Sequence, residues 1–139
     1  MTIGLDVDVR NSRLQKIIDA IDAEGDEYEA GSLTIYAGTR PATGAALDEY
    51  DVALVKFTLP FPCGTVSGGV LTFSAIPDAN AIASGEATWA RITDADDNFV
   101  ADLSATDYLG GGDVRIDDVN IEVGGLIHCI SAAITEGNA

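Results

Sequence analysis

Positive charge is what this chain lacks most: 7 Lys and Arg stand against 23 Asp and Glu, a formal net charge of −16 at pH 7. The deficit runs through the whole length, with 5 basic and 11 acidic residues in 1–70 and 2 basic and 12 acidic in 71–139. A surface this acidic repels phosphate backbones, which argues against DNA or RNA as a direct partner. Histidine occurs once, at His128, and cysteine twice, at Cys63 and Cys129, with no CxxC. That is too few ligands for a usual zinc site. Two distant thiols with no signal peptide ahead of them read as free and buried. The start, MTIGLDVDVRN, has no basic segment leading into an apolar one, so no secretory signal is expected. No apolar run approaches the roughly 18–20 residues of a membrane helix. The expected setting is a cytoplasm, or a particle assembled there, with no membrane and no cofactor.

What the chain does have is apolar content, 47% of 139 residues. That suffices for one domain over 1–139 whose core needs neither disulfide nor metal. In residues 1–10, Ile3, Leu5, Val7 and Val9 alternate with Gly4, Asp6 and Asp8, which predicts an extended arm. Asn11 or Ser12 then stands as a helix cap, and Leu14, Ile17, Ile18 and Ile21 follow at i, i+3, i+4 and i+7. The spacing predicts a helix over 11–25, stopped by Gly25. Its apolar stripe packs either on its own chain or on a partner, so these four residues are the candidate interface.

From Ser32 the period changes to two. Alternating runs at Ser32–Ala37, Val52–Leu59, Val70–Ile76, Ala87–Thr93, Phe99–Leu103, Val114–Val123 and Leu126–Ile134 are separated by turn residues. Repeated helices between them are missing, which disfavours a parallel α/β sheet. The pattern predicts a mainly β fold: an antiparallel, jelly-roll-like β-sandwich over 32–135 behind one short N-terminal helix.

Each chemistry-bearing cluster has a simpler reading beside it. Asp94, Asp96 and Asn98 match the opening of a calcium loop, but its required Gly and Glu positions hold Phe99 and Ala105. A solvated hairpin turn accounts for them better. Asp113, Asp117, Asp118 and Glu122 offer carboxylates for acid–base work, yet neighbours on a strand face opposite ways. In LIHCISAAI, His128 shares a face with Leu126, Ile130, Ala132 and Ile134, opposite Cys129. A Cys–His pair therefore needs Cys63, and a half-buried histidine with a local hydrogen-bond partner is the expectation. The runs Gly64–Gly69 and Gly110–Gly112 lack the P-loop Lys-Ser/Thr ending and read as flexible connections. Trp89 with Tyr36, Tyr50, Phe57 and Tyr108 suggests a sugar-stacking platform, although a lone strand Trp usually belongs to a core.

Three runs carry a family likeness: Leu33-Thr34-Ile35-Tyr36-Ala37-Gly38-Thr39-Arg40-Pro41, Gly85-Glu86-Ala87-Thr88-Trp89-Ala90-Arg91-Ile92-Thr93-Asp94, and Val114-Arg115-Ile116-Asp117-Asp118 with Ile121-Glu122-Val123-Gly124-Gly125. The chain from Leu33 to Ile134 resembles the capsid cement, or decoration, proteins of tailed bacteriophages, of the kind carried by a Bordetella phage. The resemblance implies a jelly-roll-like homodimer on the outer surface of an icosahedral head. There it clamps neighbouring major capsid protein subunits, with no catalysis, metal or cofactor. The alternative reading is a β-sandwich carbohydrate-binding or host-adhesion module displayed on the virion, with a small hydrolase using the acidic clusters ranked after it. Met1–Arg10 and Glu136–Ala139 are the arms expected to extend the contact with the shell.

Overall fold

The computed structural model describes residues 4–22, 31–47 and 49–135. One helix, α1 (Val7–Asp22), precedes the strands β1 (Ser32–Tyr36), β2 (Ala53–Thr58), β3 (Gly64–Ser67), β4 (Val70–Phe73), β5 (Ala79–Asn80) and β6 (Gly85–Glu86). There follow β7 (Trp89–Thr93), β8 (Phe99–Asp107), β9 (Val114–Ile116), β10 (Asn120–Ile121), β11 (Leu126–Ile127) and β12 (Cys129–Thr135). The fold is mainly β with one helix, as the periodicities predict.

The helix starts earlier than its stripe suggests. Asp6 is the cap: its carbonyl accepts the Arg10 amide at 3.1 Å and its Oδ2 accepts the Asp8 amide at 2.9 Å. Val7–Arg10, expected as an extended arm, are therefore the first helical turn, and Asn11 and Ser12 lie inside the helix. Asn11 instead accepts the Gly69 amide at 2.8 Å, tying α1 to the β3–β4 turn. Gly25 and the tail Glu136–Ala139 fall outside the described residues.

Eight strands form one curled sheet in the order β2-β1-β7-β8-β9-β12-β4-β3, with two-stranded ribbons β10-β6 and β11-β5 beside it. The sheet is mixed, which corrects the all-antiparallel expectation: β8 and β9 run parallel, with Ala105↔Val114 and Asp107↔Ile116 in register. A parallel pair normally needs a crossover of a dozen residues or more. Here Tyr108–Asp113 suffices because Gly110 and Gly112 fold back onto Thr106, where an added Cβ would come within 2.4 and 2.8 Å of its side chain. Thr106 Oγ1 accepts the Gly112 amide at 3.0 Å, and Asp107 Oδ1 accepts those of Leu109 and Gly110 at 3.0 and 3.1 Å. The glycine run is thus a tight, bonded return rather than a loose connection.

Gly64–Gly69, expected as a flexible connection, contains β3. Gly68 and Gly69 both have positive φ, 60° and 79°, and close a two-residue turn into β4. One buried apolar cluster runs from Leu14, Ile18 and Ile21 through Leu33, Ile35, Leu54, Phe57, Leu71 and Ile92 to Ala132.

Candidate functional site

The hairpin of β7 and β8 holds a buried ion pair. Arg91 and Asp102 face each other across the two strands. Arg91 Nε donates to Asp102 Oδ1 at 2.7 Å and its Nη2 donates to Oδ2 at 3.1 Å, a bidentate pair. The Asp102 side chain is wholly buried and that of Arg91 is 10% exposed. The guanidinium sits 5.3 Å from the Trp89 ring centre and 5.2 Å from that of Phe99. Trp89 in turn stacks on Tyr36 at 4.5 Å.

The segment between β1 and β2 is strapped over this face by the same carboxylate. The Gly44 amide donates to Asp102 Oδ2 at 3.1 Å, and Arg40 Nη2 donates to the Asp102 carbonyl at 2.9 Å. Gly44 lies against the Phe99 ring. Burial alone disfavours ionised Asp102, but the Arg91 hydrogen bonds, the Gly44 amide and the charges of Arg91 and Arg40 outweigh it. Its carboxyl is held below the usual range. The same contacts raise the guanidinium pKa further, first through the Asp102 hydrogen bonds. The pair is consumed by structure and offers no free acid or base.

At the hairpin tip, Asp94 Oδ1 accepts the amides of Asp96 and Asn98, both at 2.9 Å, and Oδ2 accepts Asn98 Nδ2 at 3.1 Å. Asp97 takes a positive φ of 64° to complete the turn. Asp94 is a backbone cap, 6% exposed. Burial opposes its charge, yet the bonds from Asn98 and Asp96 prevail and its pKa is lowered. Among the described residues no group of three or more His, Cys, Asp or Glu side chains is placed to hold a metal ion.

Acid should therefore weaken the fold through Asp94 and Asp102. Both have folded pKa values below their unfolded ones, so their contribution is complete above about pH 4 and is lost as pH falls through the folded values. Asp22 acts in the opposite sense. Burial raises its pKa, so its effect favours the fold at low pH and fades as pH rises. Melting followed by circular dichroism between about pH 7 and pH 2 should show a falling midpoint, and Asp94→Asn should flatten that fall.

In the second acidic cluster Asp113, Asp117 and Asp118 are likewise taken up by local hydrogen bonds. Asp113 Oδ2 accepts from the Ser104 amide and hydroxyl at 3.2 and 3.1 Å, Asp117 Oδ1 from the His128 amide at 3.3 Å, and Asp118 Oδ1 from the Asn120 amide at 2.9 Å. His128 is not half-buried: its side chain is 57% exposed. Its partner is the distant Asp78, whose Oδ1 lies 2.6 Å from Nδ1. Cys63 does not join it. The Cys63 thiol is fully buried beside Asp22, and burial with the nearby carboxylate pushes its pKa up to about 12. Burial takes Cys129 to about 11. Both cysteines are free thiols.

The candidate interface is also reassigned. Leu14 and Ile21 are fully buried and Ile18 nearly so, with Ile17 packed alongside, all in the core of their own chain. The stripe is used up by the sheet that α1 covers and cannot serve as a docking face. The aromatic row suffers the same fate: Trp89 is 1% exposed, Phe57 is fully buried and Tyr36 is buried, leaving only Tyr50 and Tyr108 outside.

A recess of about 350 Å³ opens over β2, β1 and β7, lined by Thr34, Tyr36, Leu47, Lys56, Arg91 and Asp97 among others. Its cations are already engaged, Lys56 with Asp97 at 3.7 Å and Arg91 with Asp102. The Arg91–Asp102 pair itself escaped the sequence reading. An Arg in the middle of an apolar strand, facing an Asp of the next strand once the hairpin register is counted, is the signal that finds it.

No protein-family model, curated protein or solved structure matches this chain. No helix among the described residues is long and apolar enough to cross a membrane.

Proposed function

We propose that this chain is a structural virion protein that binds the outer surface of an icosahedral phage capsid and cements neighbouring major capsid protein subunits. The observation that supports this best is where the three cement-like runs fall. Leu33–Pro41, Gly85–Asp94 and Val114–Gly125 are far apart in sequence, yet β1 lies against β7 from Leu33↔Ile92 to Tyr36↔Trp89, and β10 closes on β6 at Ile121↔Gly85. The first two runs lie on the neighbouring strands β1 and β7, and β9 of the third is the second strand beyond β7, with β8 between them. The net charge of −16 suits docking on a basic shell surface.

Such a protein acts through area and number. A stable contact buries on the order of 1,200–2,000 Å², and many copies on one shell replace single-site affinity by avidity. The working state is a homodimer assembled onto heads in the host cytoplasm, with no cofactor and no reaction. The test is co-sedimentation of purified protein with empty capsids of the major capsid protein. Saturable binding that raises the temperature of shell disruption is the expected result. Absence of binding at low and moderate salt overturns the reading.

A further inference from the structure

Three large aliphatic side chains stand in solvent on two adjacent segments. Ile82, in the bend between β5 and β6, is 61% exposed. Val123 and Leu126, at the turn between β10 and β11, are 64% and 63% exposed. Single exposed aliphatics are ordinary, but several on one structural unit mark a contact site.

The two segments are clasped into such a unit. Leu126 lies opposite Asn80 where β11 pairs with β5. Just beyond, the Ala81 amide donates to the Gly125 carbonyl at 2.8 Å, and the Ala81 carbonyl accepts the Gly124 amide at 2.9 Å. The Val123 amide donates to Ser84 Oγ at 2.9 Å. Gly124 takes a φ of 85°, and the Gly125 amide closes the turn on the Glu122 carbonyl at 3.0 Å. The Ile82 amide anchors the bend to β2 through the Leu54 carbonyl at 2.7 Å. Backbone bonds and one serine hydroxyl therefore hold the clasp together, and little ordering entropy is lost when a partner arrives.

Charge decides what that partner is. Residues 79–86 and 118–127 contain Glu86, Asp118 and Glu122 and no Lys, Arg or His. All three acids are exposed, and Glu86 faces Asn120 where β6 meets β10. A second copy would set these carboxylates against their own kind, and a nucleic acid or an anionic membrane is repelled in the same way. Neither segment has an aromatic ring on which a sugar could stack. An apolar patch with an acidic rim fits a protein surface that is apolar at its centre and basic around it.

We propose that this clasped pair of turns is the face that meets the shell. Ile82, Val123 and Leu126 pack on an apolar patch of the major capsid protein, and Glu86, Asp118 and Glu122 face Lys or Arg around that patch. The inference rests on the capsid reading above and adds to it the contact residues and the chemistry of the surface they meet.

The experiment is quantitative co-sedimentation of the full chain and its variants with empty capsids of the major capsid protein. Val123→Ser combined with Leu126→Ser should weaken binding at least about tenfold, the effect of one aliphatic side chain buried at an interface. The clasp uses none of the replaced side-chain atoms, so the circular dichroism spectrum and melting temperature should match the wild type. Ile82→Ser tests the other segment without altering the turn and should weaken binding in the same direction. Glu86→Lys with Glu122→Lys should weaken binding most at low salt, because it sets like charges against the basic rim. Folded variants that bind as the wild type does overturn this face and leave the capsid reading standing. Tighter binding by the charge-reversed variant overturns it too. A wild-type chain that does not bind overturns both.

Discussion

Asp102→Ala should cost about 3–5 kcal/mol in urea unfolding, because it strands a buried guanidinium. Arg91 reaches little water: its side chain is 10% exposed and lies between the Trp89 and Phe99 rings. The substitution also removes the acceptor that holds Gly44. Faster amide exchange at Gly44 should therefore accompany the loss of stability. Most domains have only about 5–15 kcal/mol to lose. The discriminating variant is the double replacement Arg91→Met with Asp102→Leu. It leaves no unpaired charge and should recover most of the loss, because apolar packing at such sites often matches or exceeds the ion pair. If the single and double variants are equally unstable, strand packing rather than the stranded charge is responsible.

Trp89→Ala should cost about as much, roughly 3–5 kcal/mol, by a different route. It empties a fully packed site, ends the 4.5 Å stack with Tyr36 and uncovers one face of Arg91. For a domain of this size the melting midpoint should fall on the order of 10 °C. Trp89→Phe should cost far less. It keeps a ring on Tyr36, and the indole Nε1 that it removes is buried without a hydrogen-bond partner. Differential scanning calorimetry of the two variants separates ring packing from indole polarity. A large loss in both would locate the cost in the cation–π contact, which phenylalanine supports less well.

The sequence was legible wherever one face of an element meets one environment. Leu14, Ile18 and Ile21 have the 3.6-residue spacing of a helix on a core, and the core is where they lie. The Trp89–Leu103 hairpin was likewise plain from alternation around an Asp/Asn turn. Reading failed where a local device overrode the period. Val7 and Val9 alternate with acids as in a strand, but the Asp6 cap makes them helical and leaves them 38% and 47% exposed. In β12 the register slips between Cys129 and Ser131, so Ile130 faces solvent while Ala132 is buried. β7 is buried on both faces because the Asp102 strap covers the outer one, a tertiary contact that strand alternation does not record. The candidate interface failed for the same kind of reason, since a helical stripe does not name its partner.

The two cysteines carry a practical consequence. Both thiols are buried and their ionisation is pushed well above neutral pH, so the folded chain presents almost no reactive sulfur. A single cysteine placed at an exposed turn position such as Gly111, where an added Cβ meets nothing within 4 Å, should take a maleimide dye or a gold cluster alone, without prior removal of Cys63 and Cys129. Each molecule would then carry one label at a known point, and its orientation on any larger assembly could be read directly by electron microscopy or energy transfer.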